Sequence, residues 1–392
     1  MKEWRNEIIG NCANMNSMSV GKDYSPKQIW YLDTGSITEN RIEELKKMNI
    51  LNAPSRAKRL VKNEDIIYSS VRPNQLHYGF IQSAPENLVV STGFVVISCI
   101  KSKIVPKYLY YYLIQNTTTE YLHSIAEAST STYPSLKPSD IASLEISLPP
   151  ISEQKAIAGV LSSLDDKIDL LHRQNKTLEA MAETLFRQWF IEEAEDDWKE
   201  VSLKDIIELQ SGFPFRSPSF TESGIYQIIT IKAVQDGYLD LSNADRVKEV
   251  PDRMPSYCFL GIGDILLSLT GNVGRCCIVD SQGLLLNQRV AKIKPKSNFY
   301  KAFVYTYFRR YETKLQLIEM AKGTAQLNLS PIETSNIKIK LPPIQTLTMF
   351  NDIASPCFDR IVANKLVIRN ITKLRDSILP KLMSGEVKVE LE

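Results

Sequence analysis

Leu148-Pro149-Pro150-Ile151 opens the stretch whose reading decides the fold. Beyond it the inward-facing positions run Ile157, Leu161, Leu164, Ile168, Leu171, Asn175, Leu178, Ala182, Leu185 and Trp189. The steps alternate four and three without a slip, which is the 3.5-residue period of a coiled-coil seam. One polar residue, Asn175, interrupts the seam near its middle. The tetrapeptide returns as Leu341-Pro342-Pro343-Ile344, an offset of 193 (341 − 148 = 193), and again leads into a helical pattern. The sequence therefore describes two copies of one plan, a globule followed by a long helix.

Shifting the first seam by 193 places Phe350, Ala354, Cys357, Ile361, Asn364, Ile368, Ile371, Arg375, Ile378 and Leu382 on a second seam. It too carries a single asparagine. If the helices pack antiparallel with Asn175 facing Asn364, paired residue numbers sum to 539 (175 + 364 = 539) and every layer joins two seam positions. An asparagine pair of this kind fixes register, because any slip strands a buried amide without its partner. Arg375 then faces Leu164, with its charge in reach of Asp165 or Asp166. Two prolines shape the expected second helix, which covers about 344–379. Pro356 should kink it or restart it with Ser355 as cap, and Pro380 should end it. The competing reading of both helices is ordinary packing against their own domains.

The globular parts are mixed α/β. Ile29-Trp30-Tyr31-Leu32, Asp65-Ile66-Ile67-Tyr68 and Phe94-Val95-Val96-Ile97 read as short buried strands, and 106–115 as a helix opened by proline. A further strand is expected over 141–148. The second half repeats the layout: Gly263-Asp264-Ile265-Leu266-Leu267-Ser268 answers Glu64-Asp65-Ile66-Ile67-Tyr68-Ser69, and 300–305 answers the Pro106 helix. The expected fold class is α+β, with two mixed α/β domains joined by two long helices forming an antiparallel coiled coil, a pseudo-two-fold internal duplication. The expected boundaries are 1–147, a helix with an acidic linker over 148–195, 196–340, and a helix with a tail over 341–392.

Composition narrows the function. The chain has 392 residues, 43% hydrophobic and 23% charged, with a net charge of only +2. No global basic field advertises nucleic acid, so DNA contacts would come from local patches. The six cysteines form no Cys-x-x-Cys pair and there are three histidines, which argues against zinc and for a reduced cytoplasmic setting. The charged start has no apolar signal segment, and no run suits a membrane helix, so no membrane partner is expected. There is no Walker loop and no dinucleotide-binding glycine fingerprint, so no cofactor is expected. Both double prolines lie between leucine and isoleucine, unlike the Asn/Asp-Pro-Pro-Tyr motif of amino-methyltransferases. Gly271-Asn272-Val273-Gly274 could cradle a phosphate, although a plain turn is the simpler reading.

Leu148-Pro149-Pro150-Ile151-Ser152-Glu153-Gln154, the 263–268 run with Gly271 and Gly274, Leu286-Asn287-Gln288-Arg289-Val290, and Gly323-Thr324-Ala325-Gln326-Leu327-Asn328-Leu329 together resemble the specificity (S) subunit of type I restriction-modification systems. The resemblance covers both repeats. It implies two target-recognition domains that each read half of a split DNA site, with the helices as spacer. It further implies a subunit without catalysis that recruits two methyltransferase subunits and restriction subunits to double-stranded DNA. The chain departs from the family's pattern in three places, one being Ser69-Ser70-Val71-Arg72-Pro73-Asn74, which replaces the glycine-rich turn at 270–275. Gln345-Thr346-Leu347 stands where the first copy has Ser152-Glu153-Gln154, and 129–133 replaces the glycine-threonine-alanine-glutamine run. The alternatives are a self-contained DNA methyltransferase or nuclease, and a coiled-coil adaptor without DNA contacts.

Arg or Lys reads guanine and Asn or Gln reads adenine in the major groove. On that basis the expected DNA-binding residues of the first domain are Ser70, Arg72, Asn74, Gln75 and Tyr78, with Ser131, Thr132 and Tyr133. Those of the second are Thr270, Asn272 and Arg275, with Lys322, Thr324 and Gln326. Phe213, Phe215 and Arg216 could touch DNA or a partner, with domain packing the expected role. From Ile157 to Trp189 is about 48 Å at ~1.5 Å per residue, so half-site centres are expected one to one and a half DNA turns apart.

Overall fold

Runs of β-branched and aromatic residues build the sheets. In the first half Phe94–Cys99 pairs antiparallel with Ile66–Ser69 and with Ala13–Met15, and Tyr78–Phe80 completes the order. All four residues of Ile66–Ser69 are buried, so this strand is covered on both faces. A second sheet, ordered Lys46–Asn49, Gln28–Leu32, Leu88–Ser91, Ala57–Leu60, contains a parallel pair, Gln28–Leu32 beside Leu88–Ser91. The computed structural model from which these elements come describes residues 4–21, 23–129, 134–322 and 327–390.

The second half repeats both sheets. Its first is ordered Ile207–Ser211, Val290–Pro295, Ile265–Ser268, Cys276–Ile278. Its second is ordered Arg246–Val247, Tyr226–Ile229, Leu284–Leu286, Phe259–Leu260, again with a parallel pair, Tyr226–Ile229 beside Leu284–Leu286. In each half the opening strand returns to the strand that runs into the Leu-Pro-Pro-Ile sequence. Arg5–Ile8 pairs with Glu145–Leu148, and Lys199–Ser202 with Lys338–Leu341. Part of the strand expected over 141–148 is instead a short helix, Pro138–Ala142. Pro138 presets its first turn, and the Asp140 carboxylate accepts the Lys137 backbone N–H at 2.7 Å, which caps it.

The chain forms two compact units, Met1–Asp166 with Ile371–Glu392, and Lys167–Asn370. Each takes in part of both long helices. In the first unit Ile157, Ala158 and Leu161 join Leu379, Leu382 and Met383 in one core with Tyr108 and Leu109. In the second, Ala182 and Phe186 join Leu347, Phe350, Ala354 and Phe358 in a core with Phe303 and Ile265. The ends of the helices are therefore also core elements of their own units.

The first long helix is Ile151–Arg187, 37 residues, and ends in a wider turn, Gln188–Glu192. The second is Ile344–Met383, 40 residues. It runs without interruption through Pro356 and Pro380, which corrects the expected restart at Ser355 and the expected stop at Pro380. Both prolines are exposed, as are Asp352 and Asp376, whose carbonyls lose their intrahelical donor and can bond to water instead. Phe350, Ala354 and Phe358 flank Pro356 in the core, while Leu379 and Leu382 flank Pro380. Leu382, only 3% exposed, thus sits on the helix beyond the proline. The chain leaves the helix at Gly385, whose φ of +76° supplies the left-handed turn that favours glycine.

Within the second unit Asn364 Nδ2 donates to Asn175 Oδ1 at 2.8 Å. Within the first, Arg375 Nη1 donates to Asp165 Oδ1 at 2.9 Å, and Tyr111 Oη donates to Asp165 Oδ2 at 2.7 Å. The Asp165 charge helps hold the Arg375 guanidinium protonated despite its burial. Among the described residues no helix is long and apolar enough to cross a membrane.

Candidate nucleic-acid interface

The first unit joins two loops that are far apart in sequence. As Ile66–Ser69 ends, Ser70 donates from both N and Oγ to the Gly93 carbonyl, at 2.7 and 2.8 Å. Leu136 N donates to Ser70 O at 2.7 Å, Val71 bridges Ser135, and Arg72 N donates to Pro134 O at 3.1 Å. The loop carrying Ser70, Arg72, Asn74 and Gln75 is thereby fastened beside the chain that leads out of 130–133. Arg72, Asn74 and Gln75 are exposed. Ser131, Thr132 and Tyr133 lie outside the described residues.

Arg72 has a φ of +47° and precedes Pro73, two conditions that most residues avoid. The corresponding position of the second half is Gly271, with a φ of +70°. A strained arginine held where its repeat uses glycine projects its side chain from a fixed backbone, a pattern found at binding sites. Tyr78 is different. It is 6% exposed, stacks on Tyr68 at 6.0 Å and meets Tyr110 edge-on at 6.2 Å. Burial raises its phenol pKa, so the ring stays neutral inside the core. The expectation that Tyr78 contacts DNA is corrected, because the loop has by then re-entered the sheet as Tyr78–Phe80.

The second unit makes the same junction. Leu329 N donates to Leu269 O at 2.7 Å, Gly271 N to Leu327 O at 3.1 Å, and Thr270 bridges Asn328. Thr270 is 7% exposed and its Oγ1 donates to Asn328 Oδ1 at 3.0 Å, so it fastens the loops together and does not face solvent. This corrects its place among the base-reading residues. Asn272 is exposed. Arg275 is half-buried and donates to Gln235 Oε1. Lys322 is exposed and paired with Glu319. Thr324 and Gln326 lie outside the described residues. Gly271 and Gly274 both have positive φ, and Gly274 N donates to Ser268 O at 3.0 Å. Two N–H groups of the supposed phosphate cradle are thus used inside the fold, which favours the plain turn.

The long helices fasten each site in its own unit. Gln154, 1% exposed, accepts the Val105 N–H at 2.8 Å and donates to Pro149 O at 2.9 Å, capping the helix Pro106–Leu113. In the second unit Leu347 replaces it, and Asn351 Oδ1 accepts Ala302 N at the start of Lys301–Arg309. The difference between Ser152-Glu153-Gln154 and Gln345-Thr346-Leu347 therefore includes an exchange of internal caps. The second unit also holds a charged latch. Half-buried Arg309 donates to Glu179 Oε1 at 2.7 Å and lies 3.5 Å from Asp236, and Arg369 donates to Asp280 Oδ1 at 2.8 Å. Lys365 donates to Gly237 O, with burial lowering its ammonium pKa.

Sequence reasoning missed the capping roles of Gln154 and Asn351 and the latch, because a cap or an ion pair across distant loops has no periodic signature. It also gave no role to Asn287-Gln288-Arg289, although the Leu286–Val290 run stood out as a motif. Phe213 and Phe215 pack edge to face at 5.3 Å against the second unit's core, as expected. Among the described residues no three His, Cys, Asp or Glu side chains gather as a metal site would require.

The family model described as "Type I restriction modification DNA specificity domain" matches the chain twice, over residues 7–180 and 195–355. The type I restriction enzyme HindI specificity subunit of Haemophilus influenzae is 24% identical, with 99% of this chain and 100% of that one aligned. The MjaIX specificity subunit of Methanocaldococcus jannaschii is 28% identical over 94% of this chain and 86% of that one. A crystal structure of the type I restriction-modification system S subunit from M. genitalium aligns with a TM-score of 0.59 at 17% identity, covering 97% of this chain and 96% of that one, a likeness of fold.

Proposed function

Because the chain belongs to the type I restriction-modification DNA specificity family, we propose that its two globular halves each read one half of a split, asymmetric DNA site. The chain is the DNA sequence-specificity subunit of such a system. It recognises and assembles, and the methylation and cleavage chemistry belongs to two methyltransferase subunits and the restriction subunits that dock on it in the cytoplasm. The globular reading heads are 1–147 and 196–340, and the segments 148–195 and 341–392 supply the spacer.

One observation carries the reading: both units fasten the loop after their central strand to the segment before a proline-opened helix by the same backbone bond. That bond is Leu136 N to Ser70 O in one and Leu329 N to Leu269 O in the other, 2.7 Å in each. One scaffold thus presents two different side-chain sets, Arg72, Asn74 and Gln75 against Asn272 and Arg275. Different base-reading groups on a repeated scaffold suit two different half-sites.

The two helices pair as an antiparallel coiled coil that sets the spacing between half-sites, and the duplication is pseudo-two-fold. The polar pairs Asn175 with Asn364 and Asp165 with Arg375 support this, since their numbers sum to 539 and 540 (175 + 364; 165 + 375) as antiparallel pairing requires. The near-neutral charge predicts weak, salt-sensitive DNA binding by the chain alone and tighter binding with a methyltransferase subunit.

The test is methylation mapping in cells that carry this chain and its methyltransferase. The expected result is a split asymmetric motif, and Arg72→Ala changes base preference in one half only. A continuous motif, or none, overturns the proposal. Uniform weakening by Arg72→Ala makes that residue a phosphate contact instead.

A further inference from the structure

We infer that the turn Asn287-Gln288-Arg289-Val290 is a second base-reading element of the second unit, with Gln288 and Arg289 as its contact residues and no counterpart in the first unit. The inference rests on the DNA-specificity reading and deepens it.

Four backbone bonds fix the turn. Val290 N donates to Asn287 O at 2.9 Å and closes it, Asn287 N donates to Ile229 O at 3.2 Å, and Gln288 N donates to Phe213 O at 3.1 Å. Leu269 N donates to Arg289 O at 3.0 Å, which seats the turn directly beside the 270–275 loop. The approach is close. A side chain at Gly212 would place its Cβ 2.2 Å from Asn287 O, so only glycine lets the Gly212 segment brace the turn. Gln288 and Arg289 hold its two corners and are exposed. Among the described residues neither side chain makes a hydrogen bond or ion pair, although the backbone beneath them is held by those four bonds. A rigid turn that holds two unpaired long polar side chains at solvent is costly in side-chain freedom only when a ligand orders them.

The residue types point to the ligand. Arg is suited to guanine O6 and N7 and Gln to adenine N6 and N7, and both can act in two-bond geometry. The matching place in the first unit is Ser91-Thr92-Gly93, where Gly93 O accepts Ser70 N just as Arg289 O accepts Leu269 N. A Cβ at Gly93 would lie 2.8 Å from Thr34 Cγ2, so the first unit has no room for a long side chain at that point. The second half-site is thus read by two adjoining loops, and the first without this turn.

The experiment uses the full chain co-expressed with its methyltransferase, selecting binding sites from a randomised duplex library. Wild type, Gln288→Ala, Arg289→Ala and Arg289→Lys are compared. The expected result is a loss of discrimination on the order of tenfold or more at one or two positions of a single half-site. Arg289→Lys keeps affinity but still loses discrimination, because an ammonium lacks the two-pronged donor geometry. Unchanged preferences overturn the inference. So does equal weakening over all sequences, which marks phosphate contacts, or lost co-purification with the methyltransferase at unchanged preference, which marks a protein contact. If wild type itself selects no split site, the underlying specificity reading fails instead.

Discussion

Asn364 is 2% exposed and gives an amide proton to Asn175 at 2.8 Å, so each side chain depends on the other. Asn175→Leu alone leaves a buried amide unsatisfied, and a cost of about 1–3 kcal/mol is expected. The double variant Asn175→Leu with Asn364→Leu should recover most of that loss in urea unfolding, because no orphaned polar group remains. Equal losses for single and double variants would mean the pair is unimportant. The same scale shows what sequence could say about the site. Arg72 and Tyr78 lie six positions apart and were equally plausible DNA contacts by residue type. Their roles separate because Arg72 occupies a strained exposed turn while Tyr78 has re-entered a sheet whose face is fixed by pairing with Tyr68. Composition of a loop does not reveal where the loop ends.

At the level of the element, the seam period located both long helices and their paired asparagines, since 3.5-residue spacing depends only on side-chain sequence. Proline was misleading for the opposite reason. Its cost in a helix is about 3 kcal/mol, enough to predict a break, but a flanking core can absorb it. Phe350, Ala354 and Phe358 anchor the turns around Pro356. Pro356→Ala should therefore stabilise the protein by about 1–3 kcal/mol, restoring the Asp352 carbonyl's donor without moving any packed residue. Thermal melting of the full chain measures this, and a destabilised variant would mean that the helix is shaped by the proline.

For the whole molecule, the spacer proposal makes a quantitative prediction. Removing one matching heptad from each long helix shortens them by about 10 Å at ~1.5 Å per residue. At roughly 3.4 Å per base pair, the unread gap should shrink by about three base pairs while both half-sites keep their bases. Methylation mapping reads gap and half-sites together, and altered half-sites would contradict a ruler. The charged latch of Arg309, Arg369 and Lys365 belongs to this scale as well, since it binds the 235–237 and 280–281 loops to helix residues within one unit. It was invisible in the chain because its partners lie far apart in sequence, Arg309 from Glu179 and Arg369 from Asp280 among them.

The sequence alone determined the repeated layout, the two long helices and the kind of residues available to read bases, because periodicity and residue type are properties of a linear string. It also carried the two loops of each half as separate suspects. Only the tertiary structure decided that those loops are stitched together, that Thr270 and Tyr78 face inward, and that Gln288 and Arg289 face outward beside them. Those outcomes depend on hydrogen bonds between segments distant in sequence, and on which neighbour occupies each face of a strand or turn.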